Sequence, residues 1–369
     1  MSFHGRSGLN FEMIPYRDSL PEAVRNAWEQ LLPVSTAPVF LRSEWMAMAI
    51  DTHAVDRGFV VIFREGDKPR AVLPFQYRTR WSAEICAPMG PDVMPFVISP
   101  GQEQAIWPAL ADWLRSSPFM MVRLGRYLAG RFELLREFAA EQQLTPITHP
   151  AMPVLWLTLP ENWDAYLKGL PKPSRYKVRH AESKIMEDLP DAKVRLHTDP
   201  IQCEQEIDTL IRLSLLRWKQ EKHKSSLEDP CMAALLRRFT LWAVEQGYGC
   251  IVNLEIGGQT VAAATGIHIP GQDAAYYHTV GRHPLALPNQ YSPGLFMAGQ
   301  IIRWAIDRGA TRLSLGQGFM PYKQVLGGEV YPQWELTIAR SKPAAVVMRT
   351  VDPAIHYTRA QVVRLLSRR

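Results

Sequence analysis

Residues able to bind an anionic ligand are concentrated between Asn289 and Gly328, where a helix start is followed by a glycine-rich strand end. Ser292 is a good N-cap residue and Pro293 suits the first helical position. The first backbone N–H groups of a helix have no partner inside the helix, and such groups bind phosphates. The stretch therefore predicts an anion site at which Ser292 and Gly294 contact the ligand.

Two glycines and a Tyr-Lys pair follow the next predicted strand, Arg312 to Leu315. Gly316 and Gly318 leave the strand, and Tyr322 and Lys323 come shortly after them. Ligands of open α/β sheets bind at the carboxyl ends of strands. We therefore expect both glycines to lie beside a ligand. Lys323 is either a surface lysine or a contact to phosphate or substrate.

A buried helix must position these groups. Apolar residues recur at helical spacing from Leu295 to Ala305, which predicts one buried face. Gly309 has the place and type of a left-handed C-terminal cap.

The elements around this helix occur twice in the same order: helix, strand hairpin, strand, loop, helix and strand. Corresponding residues lie 191 positions apart in three cases and 193 in the fourth: Gly58 and Gly249, Ala71 and Ala262, Leu124 and Leu315, and then Ser99 and Ser292. A fixed period of this kind indicates a tandem duplication. The predicted fold class is α/β (α+β), with two domains, each a mixed, largely antiparallel sheet flanked by helices. The predicted boundaries are 1–150, 151–348 and a basic C-terminal helix at 349–369.

Cations are clustered just after the first copy, in the run KPSRYKVRHAESK that begins at Lys172. Such a run is either a solvated helix face or a patch for a polyanion such as a coenzyme, a nucleotide-sugar or RNA. We take Arg175 and Arg179 as candidate substrate contacts. Arg217 and Trp218, on the next predicted helix, extend this candidate surface.

The composition is that of a globular protein, with 47% hydrophobic and 21% charged residues and a formal net charge of +6. No run has the length of a transmembrane helix, and Met1 to Gly8 lacks the apolar core of a signal peptide, so we expect a cytoplasmic protein. The four cysteines lack metal-ligand spacing, so we expect reduced thiols, no metal site and no disulfide: Cys86, Cys203, Cys231 and Cys250.

The doubled unit, the Ser292-Pro293-Gly294 helix start and the Gly-x-Gly tail before Tyr322-Lys323 resemble the Fem-like branch of the GNAT acyltransferase superfamily. The resemblance is greatest to the CelD-like acetyltransferases associated with cellulose biosynthesis. It implies two tandem GNAT-like domains. It also implies transfer of an acyl group from a thioester, acyl-CoA, or from aminoacyl-tRNA, to an amine or hydroxyl.

Direct acyl transfer requires a base, a group that stabilises the oxyanion and a proton donor for the leaving group. His278 is the first candidate base and His268 the second. Tyr277 and His278 are neighbours on a strand and point to opposite faces, so at most one of them faces a given cleft. Tyr322 is a candidate proton donor, and Lys323 a candidate contact to an anion.

Two alternative functions are also consistent with the sequence. The basic run at Arg175 favours an aminoacyl-tRNA-dependent transferase, although tRNA is the less favoured partner and no DNA partner is expected. Ser314 and Gln317 stand where the family usually has Asp and a basic residue, which favours a non-catalytic binding or assembly protein. The preferred hypothesis is an acyltransferase that acts on a sugar, amino acid or polymer precursor, with acyl-CoA as a co-substrate and no permanently bound cofactor.

Overall fold

The computed structural model describes residues 2–4, 8–33, 37–55, 57–85, 97–318 and 320–351. Contacts divide the chain into two compact units. The first comprises Met1–Pro153 and Pro332–Arg369, and the second comprises Val154–Tyr331.

Helices and strands alternate along both units. The strands are β1 Ser2–His4, β2 Asn10–Tyr16, β3 Gly58–Glu65, β4 Lys68–Thr79, β5 Ser82–Ile85, β6 Val97–Ile98, β7 Met121–Leu128, β8 Thr145–Thr158, β9 Lys193–His197, β10 Gly249–Ile256, β11 Gln259–His268, β12 Ala274–Arg282, β13 Arg312–Gln317 and β14 Glu329–Ala339. The α-helices are α1 Glu22–Leu31, α2 Ser43–Asp51, α3 Glu103–Ser116, α4 Ala129–Glu141, α5 Trp163–Gly169, α6 Lys172–Asp188, α7 Pro200–Gln220, α8 Pro230–Glu245, α9 Pro293–Asp307, α10 Pro321–Val325 and α11 Lys342–Val351.

The first unit contains a mixed sheet in the order β1-β2-β3-β4-β5-β7-β14, with β6 beside β4. Its strand pairs are antiparallel except β5 with β7, which are parallel. Strands β3 and β4 consist largely of buried apolar residues, and α3 covers them with a buried face that includes Trp113.

The second unit contains a sheet in the order β8-β13-β12-β11-β10-β9, formed on the β8 side by Val154 to Thr158. Here β12 and β13 are the parallel pair. Helix α9 is apolar around most of its circumference and is buried with α5 and α6 against the sheet. An apolar helix of this kind requires burial, which fixes the position of its first turn.

The predicted duplication is present in both element order and register. Strands β3 and β10 begin 191 residues apart, at Gly58 and Gly249, and β4 and β11 begin at Lys68 and Gln259. The parallel pairs correspond as well, because β5 meets β7 and β12 meets β13 over three residues each. The prediction of two mixed, largely antiparallel sheets flanked by helices is confirmed.

The fourth register of the duplication was assigned wrongly. Helix α3 begins after Ser99-Pro100-Gly101, whereas α9 begins inside Ser292-Pro293-Gly294. The N-caps are Gln102 and Ser292, 190 positions apart. The left-handed residues at the two helix starts are Gly101 and Ser292, which are 191 positions apart and have φ values of 77° and 49°. The shared tripeptide is therefore out of register with the backbone by two residues.

The division into units differs from the predicted boundaries at the C-terminal end. Gln333 to Ala339 pair with β7, so this part of β14 belongs to the first unit and not to the domain predicted at 151–348. Helix α11 extends to Val351, and the rest of the predicted basic helix lies outside the described residues. No helix within the described ranges combines the length and apolarity needed to cross a bilayer.

Candidate active site

A fork between β12 and β13 defines the candidate site. The two strands pair at Ala274 with Arg312, Ala275 with Leu313 and Tyr276 with Ser314. Strand β12 then continues to Arg282 without a further parallel pair to β13. The fork leaves an edge of backbone N–H and C=O groups along the later part of β12, which suits an extended ligand.

A β-bulge at His278 accounts for the divergence. Gly266 is paired with Tyr277 and Thr265 with Thr279, so His278 is the additional residue. The Thr279 N–H donates instead to the buried Thr265 hydroxyl, at 3.0 Å. A bulge bends its strand and increases the local twist, which turns β12 away from β13 at this point.

The start of α9 has a strained backbone. Ser292 adopts the left-handed conformation, with φ 49° and ψ 52°, and makes no side-chain cap hydrogen bond. Ser292 is the N-cap residue, as predicted, but it does not cap through its side chain, because the left-handed backbone replaces the extended conformation that side-chain capping uses. Pro293 is at the first helical position, as predicted. Strain at an exposed helix start is typical of ligand-binding positions.

Tyr322 packs against this first turn. A Cβ built on Gly294 would lie 3.6 Å from the Tyr322 ring, so the predicted anion contact and the predicted proton donor are adjacent. Burial raises the pKa of Tyr322 to about 12, while Arg217 acts to lower it and Glu221 to raise it. The phenol is consequently protonated at neutral pH and can donate a proton.

Tyr277 belongs to the same group. It faces the α9 side of the sheet and is buried, and its hydroxyl has no hydrogen-bond partner among the described residues. Burial holds its pKa well above the ordinary value, with a further increase from Tyr322 and an opposing effect of Arg217. The structure thus brings Tyr277, Tyr322 and Arg217 together.

Arg217 and Trp218 come from the last turn of α7. This helix lies directly on β12, because a Cβ on Gly281 would lie 2.7 Å from the Leu210 carbonyl oxygen. The Arg217 guanidinium carbon is 4.4 Å from the centre of the Trp218 ring.

Two residues that the sequence reasoning missed, Glu221 and Arg282, complete the cluster. Glu221 caps α7, with its N–H donating to the Arg217 carbonyl at 3.0 Å. Arg282 ends β12 and donates to the Leu287 carbonyl at 3.1 Å and to Asn289 Oδ1 at 2.7 Å. The spacing of Glu221 four residues after Arg217 was the one sequence signal that could have indicated it.

Lys323 has a structural position that differs from the surface lysine or anion contact predicted for it. Its side chain is buried, and its ammonium donates to the carbonyls of Gly316, Gln317 and Gly318 at 3.2, 2.8 and 3.1 Å. These contacts use the three donors of an ammonium, so Lys323 holds the turn after β13 and not a substrate anion. Gly316 and Gly318 have φ values of 71° and 88°, which glycine adopts without strain. Their observed role is to shape this turn.

The histidines lie in packing positions. His278 contacts Phe239 of α8 edge-on, at 5.5 Å between ring centres, and burial lowers the pKa of His278 to about 4. A general base works best with a pKa near the operating pH, so this environment makes His278 a weak proton acceptor. His268 is buried at the end of β11, beside the Gln272 carbonyl, at 2.7 Å. Its pKa is also lowered, mainly by burial.

The cations of α6 line an open depression of about 450 Å³ on the helix surface. Its lining is polar and basic, and its members are Lys172, Arg175, Tyr176, Arg179, His180 and Ser183. Arg175 and Arg179 are not among the charges that shift the pKa values of Tyr277 and Tyr322. Helix α6 contacts α9 and α10, so these two arginines lie on an element that adjoins the one carrying Tyr322.

In the part of the chain that the structure describes, no group of three or more His, Cys, Asp or Glu side chains could hold a metal ion. Three of the predicted thiols are free cysteines, namely Cys203, Cys231 and Cys250. Cys86 lies outside the described residues.

Residues 173–324, which include the fork and α9, match the sequence model of the family described as acetyltransferase (GNAT) domain. No curated protein sequence matches the chain significantly.

Several solved structures share the architecture of most of the chain. FemX is 9% identical, with 88% of this chain and 96% of that chain covered and a TM-score of 0.58. L-PGS from Bacillus licheniformis is 10% identical, with coverage of 90% and 97% and a TM-score of 0.56. A tandem GNAT protein from the clavulanic acid biosynthesis pathway is 13% identical, with coverage of 89% and 98% and a TM-score of 0.51. At these identities the likeness shows the fold alone, a mixed α/β fold that this chain shares with tandem GNAT proteins.

Proposed function

We propose that the second unit transfers an acyl group directly from acyl-CoA to an amine or hydroxyl of a small acceptor. The observation that carries the proposal is the fork between β12 and β13, with Tyr322 against the first turn of α9. An extended thioester fits the free edge of β12 in this fork. Its phosphates fit the first turn of α9, where a helix offers N–H groups and a positive dipole end to anions.

The reaction needs no covalent enzyme intermediate. The acceptor nitrogen or oxygen attacks the thioester carbonyl carbon, and the backbone N–H groups of β12 stabilise the negative oxygen that develops. The C–S bond then breaks, and the thiolate takes a proton from Tyr322. The N–H or O–H proton of the acceptor passes to the Tyr322 phenolate, so the net reaction breaks that bond and the C–S bond and forms the new acyl bond and one S–H bond. Because the Tyr322 pKa is about 12, the phenol remains protonated at neutral pH until the thiolate forms.

Acetyl-CoA binding and thiol release test this proposal. Tyr322→Phe should lower kcat about 100-fold, as expected when a general acid is lost, while the Kd for acetyl-CoA stays the same. Tyr77→Phe is the matched control, because Tyr77 is a partly exposed tyrosine of β4 in the first unit. Unchanged turnover of Tyr322→Phe contradicts the mechanism. Failure of the wild-type protein to bind acetyl-CoA or a longer acyl-CoA contradicts the choice of donor.

The basic face of α6 supports one second candidate, aminoacyl-tRNA as the donor. Loss of transfer activity on ribonuclease treatment would favour it over acyl-CoA. A protein that binds neither acyl-CoA nor charged tRNA would be a non-catalytic assembly protein. The narrower relation to the CelD-like group, and action on a polymer precursor in the cytoplasm, remain predictions from the sequence motifs.

A further inference from the structure

The Arg217 side chain is a candidate binding group for an anionic ligand. Among the described residues it forms no ion pair, and its Nε is buried without a hydrogen-bond acceptor. The guanidinium lies over the Trp218 ring. Its N–H groups point outward in the plane of the guanidinium, where they can donate to a ligand. A buried guanidinium donor without an acceptor is costly, so a bound acceptor would be stabilising.

The charges around Arg217 do not cancel. Burial lowers the pKa of Arg282, the Glu221 carboxylate opposes this effect, and the nearby Arg217 adds to it. Two arginines and one glutamate leave an excess of one positive charge. Arg282 already holds the loop before α9 through Leu287 and Asn289, so Arg217 is the member with donors to offer. One carboxylate would neutralise the cluster.

The depth of the cluster distinguishes this ligand from the phosphates of the donor. Ser292, at the start of α9, is exposed, whereas Tyr277 and Arg282 are buried. A diphosphate with its hydration fits the exposed helix start. A small monoanion matches the single excess positive charge beside the two phenols, where the acceptor must approach the thioester.

We propose that the acyl acceptor carries a carboxylate and that Arg217 binds it through charge-assisted hydrogen bonds. Arg217 is thus a specificity-determining residue, and Glu221 and Arg282 set the charge that it presents. The inference rests on the proposed function, since it names the chemical class of that reaction's acceptor.

Matched pairs of ligands test the inference directly. Amino acids, hydroxy acids and uronic acids are each compared with their primary amides, in the presence of CoA or acetyl-CoA. Both binding, by calorimetry, and acetylation are measured. Wild type should bind at least one acid about 100-fold more tightly than its amide, since a buried charge pair contributes this much to affinity.

Variants of Arg217 locate the effect. Arg217→Met should remove the preference for the acid while the affinity for acetyl-CoA stays unchanged. Arg217→Lys should keep part of the preference, because a lysine retains the charge but not the planar fork. Arg212→Met is the matched control on the same helix, with an exposed arginine that faces away from the cluster. Because the Arg217 Nε is buried without a hydrogen-bond acceptor in the unliganded protein, Arg217→Met should unfold at the same temperature as wild type or higher.

The outcomes separate the two proposals. Equal binding of acids and amides by a protein that binds acetyl-CoA overturns the carboxylate inference and leaves acyl transfer standing. An acid preference that survives in Arg217→Met also overturns it. Absence of any acyl-CoA binding contradicts the proposed function instead. A lower unfolding temperature of Arg217→Met with an unchanged preference would assign Arg217 a purely structural role.

Discussion

The parallel pairs of β5 with β7 and of β12 with β13, called here the first and second fork, have different chemistry at their last residues. In the first unit the last parallel pair is Glu84 with Arg123, and in the second it is Tyr276 with Ser314. Arg123 Nη1 donates to Glu84 at 3.2 Å, and Nη2 forms an ion pair with Glu335. Ser314 instead accepts a hydrogen bond from the Gly316 N–H at 3.2 Å. Ion pairs therefore stabilise the first fork, whereas a hydrogen bond between neutral groups stabilises the second.

This difference shows that duplication of a backbone does not duplicate a site. Both units contain a parallel pair of three residues, but the tyrosines and the unpaired arginine described above belong to the second unit. Function depends on particular side chains placed on a fold. Substitutions at the two forks can therefore test separately what each one does.

Removal of the charge at the first fork should have the largest effect. Arg123→Met removes the cation that Glu84 and Glu335 share, and these carboxylates have side-chain exposures of only 20% and 9%. Glu84 keeps a second ion pair, with Arg78 at 3.4 Å. Loss of one partner of a largely buried pair should lower the free energy of unfolding by about 4 kcal/mol, as measured by urea denaturation. Acetyl-CoA binding by the folded protein should be unchanged.

The control for that variant is Arg115→Met, which removes an exposed ion pair with Asp112 in the same unit. A loss of less than about 1 kcal/mol is expected there. Equal effects of the two variants would refute the assignment of a stabilising charge cluster to the first fork.

The buried imidazole of His278, in the second unit, predicts that the free energy of unfolding depends on pH. Burial lowers the pKa of folded His278 to about 4, whereas an unfolded histidine titrates near 6.5. The unfolded state binds more protons between these values, so stability should fall as the pH is lowered from about 6.5 to about 4, by up to about 3 kcal/mol. Urea denaturation across this range measures the loss.

His278→Gln isolates the contribution of this residue. His268 acts in the same direction and is present in both proteins, so only the difference between their pH profiles reports on His278. Parallel profiles would show that His278 gains a proton in the folded state as readily as in the unfolded one.

Close packing of α7 on β12 predicts a smaller loss on adding one methyl group. Gly281→Ala places a Cβ against the backbone of α7 and should lower the free energy of unfolding by about 2 kcal/mol. Since α7 carries Arg217, acyl transfer should fall as well. Gly299→Ala is the control, because its Cβ meets only the Trp163 ring, at 3.7 Å, and alanine favours a helix interior. A destabilised Gly299→Ala would contradict the close packing as the cause.

The smallest effect is expected at the base of the second fork. Ser314→Ala removes the hydroxyl that accepts from Gly316 and should lower the free energy of unfolding by about 1 kcal/mol. The exposed Ser183→Ala on α6 should be neutral. A loss at Ser314 as large as that at Arg123 would show that the two forks are held by interactions of similar strength.

Much of the fold was predictable because its signals are local. The hairpin turns at Gly66 and Gly257, 191 residues apart, both have φ 57°, as their turn chemistry indicates. The exception was the paired Ser-Pro-Gly tripeptides, where identical letters suggested a register that the backbone does not follow. A left-handed residue, and not the tripeptide, is the repeated structural feature.

The candidate site was predictable only in part. Tyr277, Tyr322 and Arg217 were identified from residue type, and the structure brings them together. Lys323 and His278 were also identified from residue type. In the structure Lys323 stabilises the turn after β13, and His278 is the additional residue of the bulge in β12. Glu221 and Arg282 were missed, because charged residues at the ends of helices and strands are usually exposed to solvent.

The sequence by itself determined the order of the elements, the duplication and the course of α9, since periodicity, caps and turn residues act over a few neighbouring positions. The tertiary structure alone decided where β12 leaves β13 and which side chains meet in the opening. Those outcomes depend on pairing and burial between residues far apart in the chain. Short-range patterns carry no information about such contacts.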